Sequence, residues 1–288
     1  MTVSSAALAA RPDVQTAASA VPSPRQPSNL ISARTIWISD IHLGYRDCKA
    51  DYLLDFLDNI KCDTLYLVGD IIDLWALKRR FCWPAKHYQV MLKFYELASR
   101  GVRVIYVPGN HDEPIRHFAG QLFGPIEVAL EHEYTTADGK HLLIMHGDAM
   151  DAYINLSWIT RFCGSIAYDL LLFINRWANR FRKWMGRPYF SLARSIKSNI
   201  KGAKAAIATY QREAMDEARR RGYDGVICGH IHYPALLEEK GIRYANTGDW
   251  IENCTALVED HQGCMRLLHY SDQVKWHADE LEPAKTAV

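Results

Sequence analysis

Five short stretches of the chain share one pattern, in which an apolar run ends in Asp, Asn or His. Together they supply seven side chains with oxygen or imidazole donors: Asp40, His42, Asp70, Asn110, His146, His230 and His232. An apolar run of strand length with such an ending is typical of a β-strand that carries ligands at its carboxyl end. Five endings of this kind in one chain predict one shared site.

The types of these donors indicate what the site binds. Oxygen donors from three side chains and four imidazoles are too many for one ion, so the sequence predicts two divalent ions. Mixed carboxylate and imidazole ligands without thiolate suit Mn²⁺, which we expect, and also Fe or Zn²⁺, in open sites. Asp70, at the second strand end, is the best candidate for a carboxylate that bridges both ions.

The chemistry expected of such a pair is attack of water on phosphorus. Two ions about 3.5–4 Å apart can activate a water molecule and bind the oxygens of a phosphoryl group. His111 follows Asn110, and we expect it to stabilise the transition state or protonate the leaving oxygen, with Asp112 orienting it. We expect Asp73 and Asp148 to fix the ligating imidazoles by hydrogen bonds.

Alternating helices and strands must position these donors. Apolar spacing predicts a helix that starts near Asp47 and runs to Ile60, and a second helix with Tyr88, Met91, Leu92 and Tyr95 on its apolar face. Strands precede, separate and follow these helices, the second at Thr64–Val68 and the third at Val102–Val107. Such alternation implies neighbouring parallel strands whose carboxyl ends meet at one edge of a sheet.

The later part of the chain adds shorter strands and one helix. Asp138 and Gly139 predict a hairpin turn, and Ile207, Tyr210, Ala214 and Ala218 predict the apolar face of a helix. Further strands are predicted at Gly225–Cys228, Arg243–Asn246, Thr255–Glu259 and Met265–His269.

Composition bounds the protein class and the domain organisation. The chain has 288 residues, of which 49% are hydrophobic, and seven cysteines without C-x-x-C spacing, which favours a reducing, cytoplasmic compartment. It has no run of about 18 apolar residues, as a membrane span would need. We expect a disordered tail at residues 1–33, one domain at 34–271 with a helical insert at about 151–221, and a C-terminal tail at 272–288.

The five stretches read, in order, D-x-H, G-D-x-x-D, G-N-H-D, a lone His and G-H-x-H, and so they resemble the calcineurin-like metallophosphoesterase superfamily. The resemblance implies an α/β fold, a four-layer α/β/β/α sandwich with an inserted helical cap. It also implies how the donors divide between the ions. The first ion takes Asp40, His42, Asp70 and His232, and the second takes Asp70, Asn110, His146 and His230.

The insert itself is aromatic and basic. From Arg161 to Lys204 it has ten Lys or Arg and one acidic residue, in a chain whose net charge is +1. In this it resembles the UDP-2,3-diacylglucosamine pyrophosphatases of lipid A synthesis, which release a lipid phosphate and UMP and hold two acyl chains under a helical cap. The resemblance implies a nucleotide-linked lipid substrate, and peripheral contact with an anionic membrane on its cytoplasmic face. Candidate phosphate contacts are Arg194, Lys197, Lys201 and Lys204.

Three alternatives stay open at this point. In the first alternative the insert binds no lipid and is a helical hairpin that caps the domain, with its basic face exposed to solvent. In the third motif the lipid A enzymes have G-N-R-D, with Arg at the position of His111 in this chain. A His can act on a wider range of phosphodiesters and phosphomonoesters. A paralogue with another phosphoester substrate is therefore the second alternative. A nucleic-acid enzyme or binder is a third, which the tryptophan and aliphatic content of the insert disfavours.

Overall fold

The first half of the fold alternates strands with helices, as the sequence predicts, and adds one short helix that was not predicted, Leu74–Arg79. The computed structural model describes residues 30–153, 174, 177–182, 184–187, 201–270 and 277–280. Strands β1 (Ile31–Ile38), β2 (Ile60–Val68) and β3 (Arg103–Val107) alternate with helices α1 (Ala50–Asp58), α2 (Leu74–Arg79) and α3 (Ala85–Ser99). β1 pairs in parallel with β2, and β2 in parallel with β3, so their carboxyl ends share one edge.

The remaining described strands are short and complete two sheets. They are β4 (Leu122–Phe123), β5 (Ile126–Val128), β6 (His132–Thr135), β7 (His141–Ile144), β8 (Gly225–Cys228), β9 (Ala235–Glu239), β10 (Ile242–Asn246), β11 (Thr255–Glu259), β12 (Met265–His269) and β13 (His277–Glu280), with helix α4 (Lys201–Arg220) before β8. One sheet has the strand order β13-β12-β11-β1-β2-β3-β5-β4 and the other has β6-β7-β8-β10-β9. We call them the eight-stranded and the five-stranded sheet.

Three clusters of buried apolar residues define the layers. Between the sheets, Trp37 and Tyr66 of the eight-stranded sheet pack with Tyr134 and Ile227 of the five-stranded sheet. Helices α1 and α3 cover the outer face of the eight-stranded sheet, and α4 covers that of the five-stranded sheet. Burial of large apolar side chains on both faces of each sheet fixes the four-layer α/β/β/α order, which confirms the predicted fold class.

The predicted apolar face of α3 is only partly right, because Met91 and Tyr95 pack partly buried against the core but Tyr88 and Leu92 do not. Tyr88 and Leu92 are 56% and 49% exposed, whereas His87, Val90 and Phe94 are buried. Two sets of residues at helical spacing overlap in this helix. Packing against α1 and the sheet buries the set that contains Val90 and Phe94, and not the set that begins at Tyr88.

Several element boundaries differ from the prediction, and two strands, β9 and β13, were not predicted. α1 begins at Ala50 and ends at Asp58, so Ile60 belongs to β2 instead. β1 begins at Ile31, inside the predicted N-terminal tail, because residues 31–33 pair in parallel with β2. β13 lies inside the predicted C-terminal tail and pairs with β12, and β9 was not predicted.

About half of the predicted insert lies outside the described residues. Within it, residues 177–182 are helical, and α4 buries Ile207, Tyr210, Ala214 and Ala218 as predicted. In the part of the chain that the structure describes, no helix has both the length and the apolar character that crossing a membrane requires.

Candidate metal centre

All seven predicted donors lie in the loops that follow strands of the two sheets. Asp40 and His42 follow β1, Asp70 follows β2 and Asn110 follows β3, whereas His146 follows β7 and His230 and His232 follow β8. Among these seven donors, two groups have ligand atoms within 4.8 Å of one another: Asp40, His42 and His232 form one, and Asp70, His146 and His230 form the other. Each group could hold a metal ion and combines residues from both sheets.

Asp70, a member of the second group, also lies close to the first. Its Oδ2 is 3.9 Å from Nε2 of His42 and 3.4 Å from Nε2 of His146. Its Oδ1 accepts a hydrogen bond from the backbone N–H of His111 at 2.8 Å, which holds the segment of Asn110 beside it. This position fits the bridging role expected of Asp70.

The rings of His42 and His146 are oriented by hydrogen bonds on Nδ1. His42 Nδ1 is 3.1 Å from Oδ2 of Asp73, and His146 Nδ1 is 3.0 Å from the carbonyl oxygen of Val68. Both partners are hydrogen-bond acceptors, so each Nδ1 donates, and Nε2 is the ring nitrogen left to bind a metal ion. Such contacts fix the ring and its tautomer for metal binding.

The backbone at the site is strained. Asp40, His42, Asp70, His230 and His232 have φ values of 50°, 52°, 52°, 71° and 51°. Side chains rarely adopt this left-handed region, and residues held there concentrate at functional sites. The strain lets consecutive residues turn their side chains toward one centre immediately after a strand ends.

Glycines beside the donors are required by close approach. A Cβ on Gly109 would lie 2.7 Å from Nε2 of His146, and a Cβ on Gly229 would contact Oδ2 of Asp40. The side chains of His146 and Asp40 are buried and have no room to move away, so only glycine fits at these two motif positions.

Electrostatics at the site favour a cation. Burial alone would raise the pKa of Asp70, but the imidazoles of His146 and His42 outweigh burial and hold that pKa below its usual range. Burial would lower the pKa of His146, but the carboxylates of Asp70 and Asp40 outweigh it and raise the pKa to about 10. The carboxylates thus bind positive charge strongly.

The donor set passes a simple test of fit for metal. Oδ1 of Asn110 and Nε2 of His146 are buried and make no hydrogen bond within the described residues. Buried polar atoms without partners cost about 1–3 kcal/mol each, so their presence here is typical of ligand atoms. Carboxylate, amide and imidazole donors without thiolate match a divalent ion in an open site.

The roles expected of Asp112 and Asp148 are not what the structure shows. Asp112 accepts hydrogen bonds from the backbone of Ile71 and Gly109 and from the hydroxyl of Tyr106, so it fixes the loops instead of His111. Asp148 accepts two hydrogen bonds from Arg116, at 2.9 and 2.8 Å, instead of fixing an imidazole.

Asp73, not Asp112, holds His111. Oδ1 of Asp73 is 3.0 Å from Nδ1 of His111, while its Oδ2 contacts His42. The ring of Trp75 lies 4.1 Å from that of His111 and covers one face of it. Sequence adjacency made Asp112 the expected partner, although the two side chains leave the loop in different directions.

Asp151 was missed by the sequence analysis. Its Oδ1 lies 3.0 Å from Nε2 of His230, and Tyr210 of α4 stacks on the same ring with 6.1 Å between centroids. The signal was present as a second carboxylate three residues after Asp148, at the start of the predicted insert.

The predicted phosphate contacts are described only in part. Arg194 and Lys197 lie outside the described residues, as does the side chain of Lys201. Lys204 is exposed and lines a cleft of about 470 Å³ between α4 and β9, together with Ile207, Gln211, Tyr233, Leu236 and Leu237. Tyr233 directly follows His232, so the cleft begins beside the metal centre.

Two facing sheets with Asp and His donors from both define the class of protein, which is a metallohydrolase. A family model described as Calcineurin-like phosphoesterase matches residues 33–234, more than half of the chain. The chain therefore belongs to the calcineurin-like phosphoesterase family and is a metal-dependent phosphoester hydrolase, which confirms the resemblance drawn from the motifs.

Several curated relatives carry the name UDP-2,3-diacylglucosamine hydrolase. The chain is 26% identical over 234 residues to that of Neisseria gonorrhoeae, covering 77% of this chain and 92% of the relative. It is 24% identical over 253 residues to that of Aliivibrio fischeri, covering 83% and 95%. It is 27% identical over 240 residues to that of Ralstonia nicotianae, covering 76% and 85%.

Solved structures with partial similarity include vacuolar protein sorting 29 from Cryptosporidium parvum. That match has a TM-score of 0.44 and 13% identity and covers 86% of this chain and 97% of the other. An archaeal phosphodiesterase matches with a TM-score of 0.41 and 13% identity, covering 82% and 98%.

Proposed function

We propose that this enzyme hydrolyses the diphosphate bond of a nucleotide-linked lipid, converting UDP-2,3-diacylglucosamine to 2,3-diacylglucosamine 1-phosphate and UMP. The observation that carries the proposal is the extent of the similarity to hydrolases named for this substrate. Three of them align over 92%, 95% and 85% of their own lengths, so the similarity extends well beyond the metal motifs.

Two divalent ions would be held by the donors at the strand ends. Asp40, His42, Asp70 and His232 would bind the first, and Asp70, Asn110, His146 and His230 the second. We propose Mn²⁺, with Fe or Zn²⁺ as the ions to compare. When bound, the ions supply activation of water and neutralise charge on the phosphoryl group.

His111 is proposed as the residue that acts on the leaving oxygen. Because Asp73 accepts from Nδ1 of His111, Nε2 is the atom left to donate a proton or a hydrogen bond to substrate. Trp75, packed against His111, limits rotation of the ring.

The cleft between α4 and β9 is proposed to bind an apolar portion of the substrate. Ile207, Leu236 and Leu237 line it, and Lys204 stands among them as a cation for phosphate. Arg194, Lys197 and Lys201 are proposed to add positive charge, as the sequence analysis expected.

The six described cysteines are free thiols, which supports a reducing, cytoplasmic location for the enzyme. A paralogous activity on another phosphodiester or on a phosphomonoester is the second candidate, and a specific observation favours it. His111 replaces the Arg that the resemblance to lipid A enzymes leads one to expect, and its contact with Asp73 suits proton donation to a poorer leaving group.

The test is a substrate comparison with the Mn²⁺-loaded protein. UDP-2,3-diacylglucosamine, bis-p-nitrophenyl phosphate and a cyclic nucleotide are assayed side by side, and we expect release of UMP with a kcat/KM at least about 10-fold above the others. Rapid hydrolysis of a small diester without release of UMP would favour the paralogue.

Two variants support that assay. Asp70→Ala removes the proposed bridging carboxylate and should abolish both metal loading and turnover of every substrate, whereas Asp63→Ala, on an exposed side chain, should change neither. Retention of two ions per chain by Asp70→Ala would contradict the proposed division of ligands.

A further inference from the structure

A surface next to the metal centre combines exposed aromatic rings with positive charge. It consists of Trp75, Lys78, Arg79, Arg80 and Phe81, in α2 and the segment after it, and we call it the basic aromatic surface. Trp75 is 45% exposed and Phe81 is 79% exposed, and all three basic residues are exposed. In the sequence it is distinct from the basic insert, for which membrane contact was predicted.

The positive charge of this surface is not neutralised by carboxylates of the described residues. Lys78, Arg79 and Arg80 form no ion pair in the part of the chain that the structure describes. The other run of three basic residues in a described region, Arg219 to Arg221, is fully paired. Its members contact Asp216, Glu217 and Glu131.

The helix dipole explains only part of this charge. Lys78 and Arg79 occupy the last turn of α2, where positive charge is favourable. Arg80 and Phe81 lie beyond that turn, and an exposed Phe contributes nothing to the stability of the helix. The chain continues into α3, which exposes Tyr88 and Leu92.

α2 connects this surface to the metal centre. Asp73 accepts from the backbone N–H of Ala76 at the start of α2, and the backbone N–H of Leu74 donates to the carbonyl oxygen of His111. A helix of six residues is about 9 Å long, so the basic aromatic surface lies within about one such length of the candidate catalytic His.

We propose that the basic aromatic surface binds an anionic lipid bilayer and so turns the mouth of the metal centre toward the membrane. Lys and Arg near a bilayer are attracted by anionic headgroups, and Trp and Phe insert at the level of the headgroups. The three cations, which pair with no carboxylate of the described residues, supply the charge complementarity, and the exposed rings supply the apolar contact. Nucleic acid is the competing ligand, because its phosphates would contact the cations and its bases would stack on Phe81.

The experiment measures binding of the full chain to vesicles. Vesicles of phosphatidylglycerol and phosphatidylethanolamine are compared with vesicles of phosphatidylcholine by co-sedimentation at about 0.1 M salt. We expect binding to the anionic vesicles only. The triple variant Lys78→Gln, Arg79→Gln, Arg80→Gln should bind about 100-fold more weakly, as the loss of three cations near a charged surface predicts.

The matched control is Arg219→Gln, Arg220→Gln, Arg221→Gln, which removes the same charge from paired positions. It should keep its affinity for vesicles within about threefold. Conservative replacement of Arg79 and Arg80 by Lys should retain binding, and Phe81→Ala should weaken it even at low salt. Thermal unfolding of each variant separates lost binding from lost folding.

Several results would overturn the proposal. Wild-type protein that ignores anionic vesicles, a triple variant that binds like wild type, or an equal loss in the control would each do so. A variant that loses affinity for a single-stranded oligonucleotide but not for vesicles would assign the surface to nucleic acid instead. None of these results depends on which phosphoester the enzyme hydrolyses.

Discussion

Asp73 makes three contacts through one buried carboxylate. Oδ2 holds Nδ1 of His42, while Oδ1 holds Nδ1 of His111 and accepts the backbone N–H of Ala76. Burial would raise the pKa of Asp73, but hydrogen bonds from His111 and His42 outweigh it and hold that pKa below its usual range. One residue therefore orients a candidate metal ligand and the candidate proton donor together.

We expect Asp73→Asn to lower both kcat and metal affinity. An amide has one acceptor oxygen instead of two carboxylate oxygens, so one of the two imidazoles loses its partner. Loss of such a contact typically costs about 10–100-fold in affinity or activity. Turnover of a soluble phosphodiester and calorimetric titration of Mn²⁺ check this, and a variant with unchanged values for both would contradict the shared role.

Asp112→Ala should act on stability. The substitution leaves the backbone N–H groups of Ile71 and Gly109 and the hydroxyl of Tyr106 without their acceptor in a buried region. Each such group costs about 1–3 kcal/mol, so we expect the free energy of unfolding to fall by about 3 kcal/mol or more. Urea denaturation measures it. A stable variant that loses only catalysis would restore the role first expected for Asp112.

Asp151→Ala should weaken metal binding without unfolding the chain. Asp151 accepts from Nε2 of His230, which leaves Nδ1 as the donor to metal, and half of its side chain is exposed. We expect affinity for Mn²⁺ to fall about 10-fold, with partial recovery in Asp151→Asn, which keeps an acceptor oxygen. Asp148→Ala is the control, because Asp148 contacts Arg116 and not an imidazole. Equal losses in both would argue against an orienting role.

At the scale of elements, α3 supports the loop after β1. Nδ1 of His87 accepts the backbone N–H of Gly44 at 2.9 Å, two residues beyond His42. Burial lowers the pKa of His87 from 6.5, because the buried ring is better accommodated neutral. Only the neutral ring can accept this hydrogen bond. The hydrogen bond therefore stabilises the fold fully at pH values above the pKa that His87 has in the unfolded chain.

We therefore expect stability to decrease as pH falls below about 6.5, and His87→Asn to reduce that dependence. Below this pH the unfolded chain binds a proton at His87 more readily than the folded chain does, so acid favours unfolding. Asn places a non-titrating oxygen close to the position of Nδ1. Chemical denaturation of both proteins between pH 5 and 8 measures the difference, and parallel pH profiles would show that His87 is not responsible.

The elements show where sequence patterns succeed and where they fail. The seven donors could be placed because parallel strands end at one edge, so residues after each apolar run must converge. The buried face of α3 could not be predicted, since Tyr88 and Val90 belong to two competing helical faces of similar hydrophobicity. β9 was missed because its link to β10, Lys240 and Gly241, has φ values of 52° and 76°, as in a type I′ turn, without the usual Asn or Asp.

Pairing at the site is harder to predict than placement. His111 and Asp112 are adjacent in the chain, yet the partner of His111 is Asp73, 38 residues away. Asp148 likewise has its charge satisfied by Arg116, 32 residues away. Strand patterns give the position of a backbone loop, but the rotation of each side chain depends on neighbours from other loops.

For the whole molecule, the two groups of donors cross the interface between the sheets. Asp40 and His42 come from the eight-stranded sheet and His232 from the five-stranded sheet, with 3.2 Å between Nε2 of His232 and Oδ1 of Asp40. An ion bound in this group would tie the layers together, and it would offset repulsion among buried carboxylates.

Removal of metal should therefore lower thermal stability. A ligand present at about 100 times its Kd stabilises the folded state by about 2.7 kcal/mol. For a chain of this size we expect chelation to lower Tm by about 5–10 °C and added Mn²⁺ to restore it. Scanning fluorimetry with Asp40→Ala as the insensitive control checks this. A Tm that does not respond to Mn²⁺ would mean that the groups do not hold ions in solution.

The left-handed torsion angles of the donor residues bear on how this chain can evolve. Glycine adopts such angles without steric cost, so exchanging His42 or His232 for glycine would relax the folded backbone while it removes a donor. Selection for catalysis and selection for stability thus act in opposite directions on the same positions. A lineage relieved of the need to hydrolyse phosphoesters would lose its imidazoles there first, and would keep the sandwich intact.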